Sequence, residues 1–214
     1  MESLKKEALE FVLYLLTQTA RPTFVDAFWR QNEFETAESL NSIDKLGNAA
    51  DCVTVADTRL EKLIFGALTT RFPDHHLVGE ESQSELGPDH LYQYDTATPS
   101  WIVDPIDGTN NFVHHFPMTA ISVGLAVGAS PKVGVVYMPI IDTLYFAAIG
   151  MGAYALENAS DQIKSIYPAD FLESGGRSLN FEFLDHVKES AKCRRLPLIN
   201  AEKLGYIQSL SSCA

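Results

Sequence analysis

Two carboxylates, Asp104 and Asp107, sit in the run Trp101-Ile102-Val103-Asp104-Pro105-Ile106-Asp107-Gly108-Thr109-Asn110-Asn111-Phe112. Three apolar residues lead in and read as the end of a buried strand. Asp104 falls where such a strand would emerge. Pro105 has no N–H for a ladder and favours a turn. Gly108 lets the backbone approach a ligand closely. From Gly108 to Asn111 the chain offers small polar groups and N–H donors at the start of a helical turn. A carboxylate pair beside an anion-cradling turn suits a hard cation that holds a phosphate.

The spacing excludes two competitors. Haloacid-dehalogenase-type phosphatases carry D-x-D-G-T, with both Asp on one face of an extended segment. Here the step is three residues with a proline inside, so the carboxylates are expected to converge through a turn. That turn would also expose the Ile106 carbonyl as a third oxygen ligand. An EF-hand loop is excluded because no Glu sits at its closing position.

Other acids must come from elements packed beside this run. Leu77-Val78 leads into Gly79-Glu80-Glu81-Ser82. A Gly before an acidic pair frees the backbone to turn a carboxylate inward, although a solvated acidic turn has the same composition. Upstream, Cys52-Val53-Thr54-Val55 reads as a short extended piece. Asp57-Thr58 then opens a helix with Leu60, Leu63, Ile64, Ala67 and Leu68 on one face. Thr58 with Glu61 fits a capping box, which makes Asp57 a cap or a favourable charge at the helix start. Phe72-Pro73-Asp74 ends that helix.

The first residues form an amphipathic helix through Leu4, Ala8, Phe11, Val12, Leu15 and Leu16, expected to end before Arg21-Pro22. Residues 22–50 read as one or two helix fragments and a loop carrying Lys45. From Met118 the pattern becomes strand: Ala120–Val127, Lys132–Met138, Thr143–Ile149 and a short piece after Gly150, joined by short turns as an antiparallel meander. Beyond Asn158, Phe181 to Ala191 suggests a helix that Cys193-Arg194-Arg195-Leu196-Pro197 ends. The adjacent pairs His75-His76 and His114-His115 lack chelating spacing.

The chain has 214 residues, net charge −12 and 46% apolar residues. That is an ordinary globular composition, and its sign makes nucleic acid an unsuitable partner. Cys52, Cys193 and Cys213 are odd in number and widely spaced, which fits reduced thiols rather than disulfides or zinc. No apolar run is long enough to span a bilayer, and the N-terminus lacks signal-peptide design, so a cytoplasmic protein without a membrane partner is expected.

Asp-Pro-Ile-Asp-Gly-Thr-Asn-Asn-Phe after Trp-Ile-Val, with Gly79-Glu80-Glu81-Ser82 upstream, resembles the inositol monophosphatase family. The resemblance runs from the first helix to about Asn158. It implies an α/β layered α-β-α-β-α sandwich of the sugar-phosphatase superfamily. Residues 1–158 would form the metal-binding α+β part, and 159–214 the start of an incomplete second half. It implies a Mg²⁺-dependent, lithium-sensitive phosphomonoesterase, a homodimer, acting on inositol monophosphate or another phosphate ester. Two or three Mg²⁺ ions would share the ligands Glu80, Asp104, the Ile106 carbonyl and Asp107. Glu80, Thr109 and Asp57 would orient the attacking water. Asp107, Gly108, Thr109 and Ser212 would hold the substrate.

One family motif, Trp-Asp before small residues, supplies the last ligand of the second metal. The only tryptophans are Trp29 and Trp101, and neither precedes Asp. Second-metal affinity is therefore expected to be weakened. The alternative expectation is a truncated, non-catalytic member that binds metal weakly or dimerises with a complete paralogue.

Overall fold

The computed structural model describes residues 1–30, 49–80, 82, 98–128, 130–167, 171–172 and 183–196. Alternation of side chains builds its sheet. In β4 (Ser130–Met138), Val133, Val135 and Tyr137 are buried while Gly134 and Val136 face outward. In β5 (Thr143–Ala148), Leu144, Phe146 and Ala148 do the same. With β1 (His76–Gly79), β2 (Ser100–Asp107), β3 (Ala120–Val127), β6 (Gly152–Glu157) and β7 (Cys193–Arg195) they form one seven-stranded sheet in chain order. The meander from β3 to β6 agrees with the expected strands to within two residues. Only β1 and β2 are parallel. Arg194-Arg195 does not merely end a helix: it belongs to β7, paired with β6.

Helices cover one face of the sheet. Helix α1 (Glu2–Tyr14) packs on β4 and β5, and α3 (Ala49–Arg71) on β2. Val53, Ala56, Leu60, Ile64 and Leu68 form a buried stripe at helical spacing along α3. That stripe overturns the extended reading of residues 52–55. It also overturns the Thr58–Glu61 capping box, because Thr58 lies well inside the helix. The first helix does not stop before Arg21-Pro22 either. It widens into a π-helical segment, Leu15–Ala20, whose last turn is closed by the Arg21 N–H on the Leu16 carbonyl. Helix α2 (Arg21–Trp29) then starts with Pro22 in its first turn. A proline there needs no N–H partner, and the widened turn gives its ring room against the preceding carbonyls. Of the loop expected near Asn41–Ala50, Lys45 lies outside the described residues, and Ala49-Ala50 belong to α3.

Asp142, in the turn between β4 and β5, ties three elements together. Its carboxylate accepts the Tyr137 hydroxyl at 2.6 Å and the Ser160 N–H and hydroxyl at 3.0 and 2.7 Å. Arg21 stands 3.8 Å away. Ser160 lies in the first turn of α5 (Ala159–Ile166). Burial, reinforced by Asp142, keeps the Tyr137 phenol protonated well above the usual range. Asp142→Ala strands the buried Tyr137 hydroxyl and is expected to lower stability by about 2–3 kcal/mol. Urea unfolding with an unchanged slope checks it.

His75 stacks on Phe72, with centroids 5.0 Å apart and planes 19° from parallel. Burial lowers its pKa from the ordinary 6.5, against the opposing pull of Asp74 and Glu7. At this group the folded state therefore binds fewer protons than the unfolded chain, and the contribution of His75 to stability falls as pH drops below 6.5 toward the folded value. Relative to wild type, His75→Phe should gain thermal midpoint as pH drops from 7 to 5; a difference from wild type that stays constant over that range would contradict it. Among the described residues no helix is long and apolar enough to cross a membrane.

Candidate metal and phosphate site

Strand register brings the acids together. β1 and β2 run parallel, and their last aligned pair is Gly79 and Val103. Glu80, the first residue beyond β1, and Asp104 follow that pair, and the two carboxyl groups meet in a hydrogen bond. Asp107 joins them through a β-bulge. Asp104 lies opposite Ser122 and Asp107 opposite Ala120, so β2 spends one residue more than β3 over this step. In a regular strand, residues three apart point to opposite faces. The extra residue returns Asp107 to the side of Asp104. The expected turn is thus a bulge inside the strand, at the proline that cannot donate to the ladder.

The chain then turns sharply. Gly108 has φ +85°, and a side-chain carbon there would stand 3.2 Å from the Met118 carbonyl. It precedes the short helix α4 (Thr109–Val113), whose Phe112 N–H bonds the Gly108 carbonyl at 3.0 Å. The Thr109 hydroxyl donates to the Ile106 carbonyl at 3.3 Å. Thr119 holds the Asp107 carbonyl at 2.9 Å, and the Asn111 amide holds Met118 at 2.6 Å. Phe112 anchors the turn from beneath, edge-on to Phe24 and Phe28.

The electrostatics of the cluster are unbalanced. Asp104 is pushed up to about 7 by burial, then by the charges of Glu80 and Asp107 and a hydrogen bond with Glu80; the Ile106 N–H opposes this. Its Oδ1 is buried without a hydrogen-bond partner among the described residues. Glu80 and Asp107 are exposed at the rim. Three like charges around an unsatisfied oxygen fit a hard cation, which would supply the missing charge and partner. As positioned, no three His, Cys, Asp or Glu side chains among the described residues group closely enough to hold a metal ion. An ion would thus draw Glu80 and Asp107 in from the rim.

Asp57 is buried on α3, which packs against both β2 and α4. Ser212 lies outside the described residues. Sequence reasoning missed Glu61. It is buried on α3, one turn beyond Asp57, and its carboxylate accepts the Ser82 N–H at 3.1 Å and the Ser82 hydroxyl. The available signal was two acids one turn apart within an apolar stripe. A cleft of about 300 Å³ lined by Gln162, Ser165, His186 and Ser190 contains none of the expected residues, and the carboxylate chemistry lies elsewhere.

A family model described as the inositol monophosphatase family matches residues 15–196. The chain belongs to the inositol monophosphatase family. Inositol monophosphatase 1 of Solanum lycopersicum is 45% identical over 122 residues, which is 54% of this chain and 43% of that protein. Inositol monophosphatase 1 of Rattus norvegicus is 42% identical over 105 residues, 49% of this chain and 36% of that protein. The crystal structure of inositol monophosphatase II from Staphylococcus aureus MSSA476 is 34% identical, with a TM-score of 0.44. The match covers 64% of this chain and 46% of that one. The matched stretch thus spans less than half of each of these relatives. The mixed α/β class expected for the family is the class this sheet and its helices form.

Proposed function

We propose that the protein is a divalent-metal-dependent phosphomonoesterase acting on inositol monophosphate, with Mg²⁺ as the working ion. The observation that carries this reading is the buried, unsatisfied Asp104 oxygen with the charges of Glu80 and Asp107 acting on it, directly before the Gly108 turn. Relatives named inositol monophosphatase supply the substrate class.

The residues divide the work by position. Asp104, Asp107, Glu80 and the Ile106 carbonyl hold Mg²⁺, two or three ions in all. Bound Mg²⁺ supplies charge neutralisation and an acidified water. Glu80 accepts a proton from the attacking water, which Thr109 and Asp57 help to orient. The Gly108 and Thr109 N–H groups, with Asp107 and Ser212, position the phosphate ester. The Ile106 carbonyl accepts the Thr109 hydroxyl, and a carbonyl oxygen has two lone pairs. The reading extends to a cytoplasmic homodimer with no nucleic-acid or membrane partner.

Phosphate release from inositol monophosphate, with Mg²⁺ and with chelator, tests the proposal. Chelator-sensitive release is expected. Release that persists in chelator contradicts it. A second reading has these 214 residues bind a cation weakly without turnover, alone or beside a complete paralogue. It is favoured by the absence of a grouped third ligand among the described residues and of any Trp-Asp step in the sequence. Comparison with a chain extended at the C-terminus separates the two: release by the extended chain alone supports the second.

A further inference from the structure

Gly79 is the last residue of β1, and it is buried against α3. Glu80 follows it, exposed, with its carboxyl group hydrogen-bonded to Asp104. The space above Gly79 is filled from α3. A side-chain carbon built on Gly79 would collide with the Glu61 carboxyl group and stand 2.8 Å from the Phe65 ring. Glu61 itself is only 4% exposed. Its carboxylate reaches across the chain to the far side of the acidic pair and accepts both the N–H and the hydroxyl of Ser82. The backbone carrying Glu80 is therefore held at two points by one buried side chain: from below at Gly79 and from beyond at Ser82. Any shift of Glu61 moves both.

We propose that Glu61 is a positioning residue for the cation site. It holds Gly79 and Ser82 on either side of Glu80, so that the Glu80 carboxylate stays beside Asp104. This rests on the metal-dependent reading above. A buried carboxylate that accepts two hydrogen bonds from one residue holds a backbone more firmly than packing alone. Groups that orient a ligand from outside the coordination sphere typically contribute roughly 10- to 100-fold to metal affinity. Glu61 touches neither the cation nor the substrate in this role, and it acts only through Glu80.

The test is a calorimetric titration of the apo-protein with Mn²⁺ and with Mg²⁺, alongside thermal melts without metal. Wild type, Glu61→Ala, Glu61→Gln and Ser82→Ala are compared. Glu61→Ala should weaken Mn²⁺ binding by roughly tenfold or more. Glu61→Gln keeps one acceptor oxygen of the same reach and should recover most of that loss. Ser82→Ala, which leaves α3 untouched, should weaken binding in the same direction. A purely structural role would lower the melting midpoint and leave the affinity of the folded protein unchanged. Wild-type affinity in folded Glu61→Ala overturns the assignment, as does wild-type affinity in Ser82→Ala if Glu61→Ala does not fold. Absence of uptake by the wild type would remove the metal-dependent reading and this role together. Uptake by the wild type with equal uptake by the variants removes only the role of Glu61.

Discussion

Asp104→Asn is expected to abolish metal-dependent phosphate release and to weaken Mg²⁺ or Mn²⁺ uptake by at least ~100-fold. Residues that merely orient ligands already contribute up to about that much, and in the proposed site Asp104 is the central oxygen donor. The same substitution should make the metal-free protein more stable at neutral pH. The Asp104 carboxyl is pushed up to about 7 by burial and by its neighbours Glu80 and Asp107. The folded state then binds more protons than the unfolded chain between the ordinary 3.8 and about 7. The contribution of this carboxyl group to apo-protein stability therefore falls as pH rises through that window and levels off above it. Asparagine has no charge to lose, so its profile should be flatter. Saturating Mg²⁺ should oppose the wild-type decline, because a bound cation favours the ionised form. Denaturant unfolding at pH 5, 6 and 7.5, with and without metal, reads all three. An Asp104→Asn protein with wild-type metal uptake would remove the site from this strand.

Gly79→Ala is expected to damage stability and site at once. The added methyl meets the Glu61 carboxyl and the Phe65 ring, and Glu61 is not free to swing away because Ser82 donates to it twice. Overpacking of this kind costs about 1–3 kcal/mol. The strand must shift to make room, and Glu80 shifts with it, so cation uptake should fall as well. Combining it with Glu61→Ala removes the main obstruction. The double variant should then lose less stability than the sum of the two singles, with the Phe65 contact as the residue of the effect. Strict additivity would show that the two positions do not press on each other. Circular dichroism melts on the four proteins of the cycle supply the numbers.

Local patterns carried the sheet. Alternation in Val133, Val135 and Tyr137, with short turns between strands, marks the meander directly, and each strand pairs with its neighbour in sequence. The helix starting at Ala49 was hidden because Val53 and Val55 favour strands locally, while the stripe that makes them helical is completed only by Leu60 and Ile64. Pro22 is ambiguous in the sequence because proline is permitted in a helix's first turn as well as after a helix's end. At the site, residue types revealed Asp104, Asp107 and Gly108. The convergence of Glu80 with Asp104 required a parallel pairing between strands joined by residues 80–99, which periodicity does not report. Glu61 was assigned to a cap by spacing alone. Its partner Ser82 is 21 residues away, and nothing in the local pattern connects them.

The bulge at Pro105-Ile106 makes the acidic pair sensitive to spacing. Substitutions within it alter chemistry one residue at a time, but changing by one the number of residues between Asp104 and Asp107 while the bulge stays reverses which side of the sheet the second acid faces. Dropping one residue and the bulge with it would leave the pair still together, two apart on a plain strand. Dropping one residue while the bulge persists would aim Asp107 toward Trp101 and Val103, into the oily interior. Transplanting the three-step pair onto an unbulged strand of another scaffold would separate its anions across the thickness of a sheet. What a designer must copy is therefore the miscount between the two strands, and only then the letters.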